Sequence, residues 1–344
     1  MKSNNLIQVN PLIYSQWDQA VLNGPNNQFF HLSCWMKTLI DTYNFKPLYF
    51  MVQSDHACTI PILVVKTLLG KKKAVALPFS DECDIYCTSM SHDELVSKLL
   101  SVARNEKQDR LEFRGTTEFQ PSGEPSHTYW GHRLVLTKEE ILWKNLSSSK
   151  RRNIRKAQRE NMIIAFHNEQ NTIREFYQLH CLTRKRHGLP PQPVSFFNAI
   201  YKNIISKKFG EVALAYSGKT PVAGAVFFIS GSDVIFKFGA SDKSFQNMRA
   251  NDLLMWEAIR RYAGKGLSSF SFGKTEKSNE GLCHYKDGFG IERVQLYDHC
   301  YNVKTGKKEK KSSYDNYLIL NMILKKMPIQ LLRICGELIY RYFA

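Results

Sequence analysis

One order of elements runs through this chain twice, and it limits the fold more than any single motif does. In residues 1–140 the hydrophobic periodicity and turn residues predict a strand at 6–9 and helices at 14–22 and 30–43. Three short β-rich runs follow at 47–52, 56–65 and 73–77. Next comes a helix at 93–105, with Leu95, Leu99, Leu100 and Val102 on its apolar side, and then strands at 110–113 and 132–136. From 162 the order begins again: a strand at 162–166, helices at 172–186 and 194–205, and a meander at 211–216, 222–229 and 233–238 with turn signals SGKT and SGSD. A helix at 251–263 and strands at 269–272 and 293–301 complete it. No residue-level repeat accompanies the repeated order. The expected organisation is α/β: an N-terminal domain over 1–144, a second over 145–303 that opens with a basic helix, and a basic linker with amphipathic C-terminal helices over 304–344.

That basic helix is the most unusual stretch. NLSSSKRRNIRKAQRENM (145–162) places six cations in ten residues: Lys150, Arg151, Arg152, Arg155, Lys156 and Arg159. The serines before it supply an N-cap, and the run lacks Gly and Pro. Arg151, Arg155 and Arg159 share one face, while Ile154 and Ala157 can turn inward. Lys150, Arg151 and Arg152 fall in the first turn, at the positive end of the helix dipole. Each costs about 0.3–1 kcal/mol there, a penalty that a bound anion would relieve. Two readings stay open: an anion site for a phosphorylated substrate, or a solvated basic face.

Composition narrows the partners. The 344 residues carry a formal charge of +17, and 43% of them are hydrophobic. That is enough apolar content for a packed core and points to an acidic partner: nucleic acid, anionic lipid or a phosphorylated substrate. No RNP, C2H2 or KH pattern is present, nor a GxSxG elbow, P-loop or HExxH. The eight cysteines are scattered. The closest pair, Cys83 and Cys87, has no second pair at ligand spacing, so no metal is expected and reduced thiols are. With no signal-peptide pattern and no apolar run of spanning length, a cytoplasmic protein is expected. His31, His92, His180, His284 and His299 are general-base candidates, although a lone histidine is more often structural.

Two further stretches bear on chemistry. In TRKRHGLPP (183–191) the cations end a helix, where the dipole favours them without any function. In FSFGKTEKSNEGLCHYKDGFG (270–290) a strand ends and a loop follows that holds Lys286 between Tyr285 and Phe289. Lys286 there is either an oxyanion stabiliser or a surface lysine in a turn. At the C-terminus KTGKKEKK (304–311) precedes two apolar segments, 314–327 and 329–343, split by Pro328. They suit either a helical hairpin docked on its own domain or peripheral contact with the inner, anionic membrane surface.

These stretches together resemble the FemAB-like branch of the GNAT acyltransferase superfamily, which holds peptidoglycan-bridge aminoacyltransferases and N-acyltransferases of envelope polysaccharide loci. The matching residues are FFHLSCW (29–35), LPFSDECDIYC (77–87), LSSSKRRNIRKAQREN (146–161), TRKRHGLP (183–190) and GLCHYKDGFG (281–290). The resemblance implies two tandem GNAT-like domains, each a mixed, mostly antiparallel sheet flanked by helices, plus the C-terminal helical segment. It implies transfer of an acyl or aminoacyl group to an amine, with acyl-CoA or aminoacyl-tRNA as donor and a phosphorylated or lipid-linked envelope precursor as acceptor. By position, Lys286 is the catalytic lysine that meets the oxyanion. Arg186, Arg152, Arg155, Tyr285 and Trp35 are the substrate-binding residues. Where acyl-CoA GNATs carry Q/R-x-x-G-x-G/A, this chain reads SFQNMRANDLL (244–254), without either glycine. The expectation is an N-acyltransferase of envelope or exopolysaccharide biosynthesis. The alternatives are aminoacyl-tRNA-dependent extension of a peptidoglycan stem peptide, with transfer RNA as a partner, and, in another class, a non-catalytic basic protein that binds nucleic acid or anionic membrane.

Overall fold

A computed structural model describes residues 5–24, 28–53, 55–310 and 318–343. The chain begins with β1 (Leu6–Val9), α1 (Trp17–Asn23), α2 (Ser33–Tyr43), β2 (Lys46–Val52), β3 (Asp55–Lys66), β4 (Lys72–Ala76), α3 (His92–Asn105), β5 (Arg110–Thr116) and β6 (His127–Val135). It continues through α4 (Glu139–Asn145), α5 (Ser148–Arg159), β7 (Ile163–His167), α6 (Gln170–His187), α7 (Val194–Asn203), β8 (Gly210–Ser217), β9 (Thr220–Ser230), β10 (Asp233–Ser241) and α8 (Ala250–Gly264). Last come β11 (Ser269–Glu276), α9 (Glu280–Asp287), β12 (Glu292–Asn302), α10 (Leu318–Lys326) and α11 (Ile329–Ile339).

Two compact units emerge, the first from 1–130, 294–313 and 341–344, the second from 131–293 and 314–340. In the first, β1, β2, β3 and β4 form an antiparallel meander, and α3 then crosses over to place β5 parallel to β4. In the second, β7 to β10 form the meander, and α8 crosses over to place β11 parallel to β10. A parallel neighbour requires a long crossover, and each unit uses one amphipathic helix for it. Helix α3 shows how local sequence secures this. Ser91 caps it by accepting the Glu94 N–H, and Leu95, Val96, Leu99, Leu100 and Ala103 form the buried face.

The closing strands differ from the expectation. The run at 132–136 was expected to finish the first domain and that at 293–301 the second. Instead β12 pairs antiparallel with β5, Tyr297 opposite Thr116 and Tyr301 opposite Leu111, and so belongs to the first unit. Asp298 accepts the Gly115 N–H at 2.9 Å and Tyr301 packs on Phe113, so this strand fits the first core by side chain as well as by ladder. Strand β6 starts earlier than expected, and from Gly131 on it belongs to the second unit, next to β11 in strand order.

The second unit's core gathers Leu142, Ile154, Ala157, Phe227, Trp256, Ile259, Tyr262, Phe270, Phe272 and Phe289. The C-terminal helices dock on the same unit, against α6. Gly336 is required at that contact: a Cβ there would lie 2.1 Å from the Pro191 carbonyl oxygen. Glu337 accepts the Val194 N–H at 2.9 Å. The helix expected at 314–327 is described only from Leu318 on, and 311–317, which include the end of KTGKKEKK, lie outside the described residues. Among the described residues no helix is long and apolar enough to cross a membrane.

Candidate active site

Helix α5 starts from the end of α9. The Ser147 N–H donates to the Gly288 carbonyl at 2.9 Å, and the Ser147 hydroxyl caps α5 by accepting the Lys150 N–H. Its first-turn cations are not left against the dipole. Lys150 points inward, 6% exposed, with Nζ 2.5 Å from Asp252 Oδ1 in the first turn of α8. Asn153 donates to the other Asp252 oxygen at 2.8 Å. The same ammonium lies 3.4 Å from the Tyr285 ring centroid and 4.4 Å from that of Phe289. Burial pushes the Lys150 pKa down, and Asp252 opposes it. Arg151 turns the other way and caps α4, donating to the carbonyls of Trp143, Lys144 and Leu146 at 3.4, 3.0 and 2.5 Å.

This corrects the expectation for the basic helix. Two of the three first-turn cations are relieved from inside the fold, by Asp252 and by the α4 carbonyls. The open cationic face is smaller: Arg152, Arg155 and Arg159, with Ser148, Arg151 and Gln158, line a shallow depression. Arg152 and Arg155 are exposed, and among the described residues neither has an ion-pair partner; Arg155 lies 5.7 Å from the Trp143 ring.

Lys286 is neither in a loop nor on the surface. GLCHYKD folds as α9 because Asn279 caps it, accepting the Leu282 N–H, and because Cys283 and Lys286 turn into the core. Lys286 is 4% exposed. Its Nζ donates to the carbonyls of Phe272 at 2.6 Å and Gly273 at 3.2 Å, with that of Lys274 at 3.5 Å. In a regular strand successive carbonyls alternate in direction. Gly273, at φ +69° in β11, breaks the alternation and lets three consecutive carbonyls meet one ammonium. A buried, oriented N–H donor at a strand bend is suited to a developing negative charge on a substrate oxygen.

The other candidates are dispersed. Tyr285 joins Lys286 to the α5 start through the Lys150 contact. Arg186, half-buried in the last turn of α6, donates to the Ser241 carbonyl at 3.3 Å at the end of β10, and among the described residues it shares no bond with the α5 or α9 groups. Trp35 belongs to the first unit, 0% exposed, edge-on to Phe30 at 5.2 Å. It packs within the core of the first unit, whereas Lys286, Tyr285, Arg152 and Arg155 belong to the second. SFQNMRANDLL folds as a tight turn and then α8, with Arg249 in the left-handed region at φ +58° where the acyl-CoA pattern would allow glycine.

Two groups escaped the sequence analysis. Lys150 was legible in principle, since it stands four and seven residues before Ile154 and Ala157 on the same inward stripe. His132 on β6 was not. It is fully buried, and neither ring nitrogen has a hydrogen-bond partner among the described residues. Burial lowers its pKa to about 4, and the positive charge of Lys286 pushes the same way.

Residues 144–287 match the family model described as "Acetyltransferase (GNAT) domain". Among solved structures, the chain resembles FemX (TM-score 0.64, 14% identity, 86% of this chain and 96% of that one). It also resembles the C-terminal domain of a putative lysylphosphatidylglycerol synthetase from Agrobacterium fabrum (TM-score 0.57, 13% identity, 83% and 91%). L-PGS from Bacillus licheniformis is a third (TM-score 0.54, 13% identity, 90% and 96%). No curated protein sequence matches the chain.

Proposed function

From a chain that carries a GNAT acyltransferase domain of the FemAB-like branch, we propose an N-acyltransferase that acts on an amine of a phosphorylated or lipid-linked cell-envelope or exopolysaccharide precursor. The observation that carries this reading is Lys286, buried against the β11 carbonyls inside the matched segment. The acceptor amine attacks the donor's acyl carbon, a C–N bond forms, and the carbonyl π pair moves onto oxygen. Lys286 donates to that oxyanion, exchanging its longest contact, 3.5 Å to Lys274, for a charge-assisted bond. Collapse of the intermediate re-forms the carbonyl and expels the donor's thiolate or ribose oxygen, which takes up the one proton the amine loses.

Lys286→Ala should lower turnover by roughly 10²–10³, the usual cost of one oxyanion donor. Lys286→Met, which keeps the buried volume, should do the same, at a stability cost of about 1–3 kcal/mol for each β11 carbonyl it leaves unsatisfied. Full activity in a folded Lys286→Met protein would remove the assigned role. Donor binding is read separately from the thermal midpoint, because a ligand at a hundred times its Kd adds about 2.7 kcal/mol.

Aminoacyl-tRNA as the donor is favoured by one observation: the first turn of α8 already holds the Asp252 carboxylate and lacks the glycines that would admit a pyrophosphate. A midpoint shift with charged transfer RNA and none with acyl-CoAs would decide for it, and the reverse against it.

Arg152 and Arg155 would hold substrate phosphates. Arg152→Ala with Arg155→Ala should raise KM roughly tenfold or more at low salt and flatten its salt dependence, with kcat and stability little changed. Unchanged KM and salt slope would assign these arginines to a solvated face.

A further inference from the structure

We infer that the outward stripe of the C-terminal helices is an interfacial anchor for an anionic lipid bilayer. The two helices use different faces for different purposes. On α11, Leu332 and Gly336 face the domain. Leu331, Ile334 and Leu338 fall at spacings of three and four, so they line a second stripe beside the docked one. They are 49%, 55% and 65% exposed, and on α10 Met322 and Ile323 are also exposed. Single exposed apolar residues are ordinary, but five on two consecutive short helices are not.

The charges select the occupant. Lys325 and Lys326, both exposed, end α10, and Arg333 on α11 lies over the Tyr177 ring at 5.4 Å, toward α6. Glu337 is the single acid of 318–340, and its carboxylate already accepts the Val194 N–H. A second copy of the chain would bring the same cations against these and carries +17 of its own. An anionic bilayer supplies the opposite charge and takes up the apolar side chains at the depth of its headgroup boundary, where a helix lies flat and need not span. This surface is separate from the Lys286 site, so its failure would leave the proposed reaction standing.

The test is flotation of the full chain with vesicles of phosphatidylcholine alone and with about a third phosphatidylglycerol. Binding to the anionic vesicles, weakened by salt and nearly absent on phosphatidylcholine, is expected. Ile334→Glu with Leu338→Glu should lower partitioning roughly tenfold or more, and Lys325→Ala with Lys326→Ala should lower the anionic preference by a similar factor. Both variants change exposed positions, so their thermal midpoints should stay at that of the parent, and midpoints that do stay show that the variants fold. Equal flotation of the parent and the Ile334→Glu, Leu338→Glu variant would overturn the inference, as would no flotation of the parent. A concentration-dependent dimer that this variant dissolves would overturn it too, and would assign the stripe to a second copy.

Discussion

Asp252→Ala should destabilise the protein by on the order of 3–5 kcal/mol, the cost of leaving one member of a buried ion pair uncompensated. The pair is enclosed, with side-chain exposures of 7% for Lys150 and 8% for Asp252, so solvent screens it little. Removing the carboxylate strands the Lys150 ammonium between two aromatic rings, whose attraction replaces only part of what is lost. It also takes away the acceptor of the Asn153 amide. Lys150→Met combined with Asp252→Leu should recover much of the loss, since two apolar side chains need no partner there. A double-mutant cycle read by denaturant unfolding measures the coupling. Loss of under about 1 kcal/mol in Asp252→Ala would show that the lysine finds water or a new partner. The same variant should also loosen the join between α5, α8 and α9, so KM for the substrate and turnover at Lys286 should change together.

Stability should fall steeply between about pH 6.5 and about 4. Burial lowers the pKa of His31, His132 and His299 to about 4 and that of His180 to about 3. The sign follows from linkage. Below about pH 6.5 the unfolded chain binds protons that the native imidazoles still refuse, so the stability present above that pH drains away until the native groups protonate too. Lowering one pKa by 1 is worth about 1.4 kcal/mol, so four buried imidazoles together contribute on the order of several kcal/mol even after generous discounting. Urea unfolding at about pH 7.5 and about pH 4.5 reads it directly. His180 stacks among Phe176, Phe197 and Phe238, so His180→Phe should make the pH slope shallower, at the cost of the Gln192 hydrogen bond. A flat profile across this window would mean that these imidazoles reach water in the native state.

Much of the architecture is readable along the chain. The meanders and the helices that follow them are expected from periodicity of two and of 3.6 and form in both copies, whereas the parallel pairing of the next strand is not legible in the periodicity. Of Leu95, Leu99, Leu100 and Val102, chosen for spacing alone, the three leucines are buried and Val102 is half-buried, while Val96 and Ala103 take the remaining inward places. Which sheet each closing strand joins is not readable, because nothing local to 293–301 records that its partner is β5. Helix α9 was hidden by its glycines and its short length; its stability comes from the Asn279 cap and from burying Cys283 and Lys286, a tertiary effect that propensity does not carry. The candidate site divides in the same way. Lys286 and the arginines stand out by type and position. Counting charges on 150–159 overstates the open cationic face, since it cannot separate a lysine that turns into the core from one that faces solvent.

The return of β12 to β5 bears on how the chain is made. Tyr297 and Thr116 are 181 residues apart, so the first unit's ladder stays incomplete while all of 131–293 is synthesised. At about 5–20 residues per second the ribosome needs roughly 8–33 s for that stretch. During this time β5 presents an unpaired edge, an invitation to wrong pairing. The four-strand meander of the second unit and its crossover to β11 need no strand translated after β11. A nascent chain arrested before residue 292 should therefore hold β1 to β5 already paired, with fast amide exchange confined to the outer edge of β5 that awaits β12.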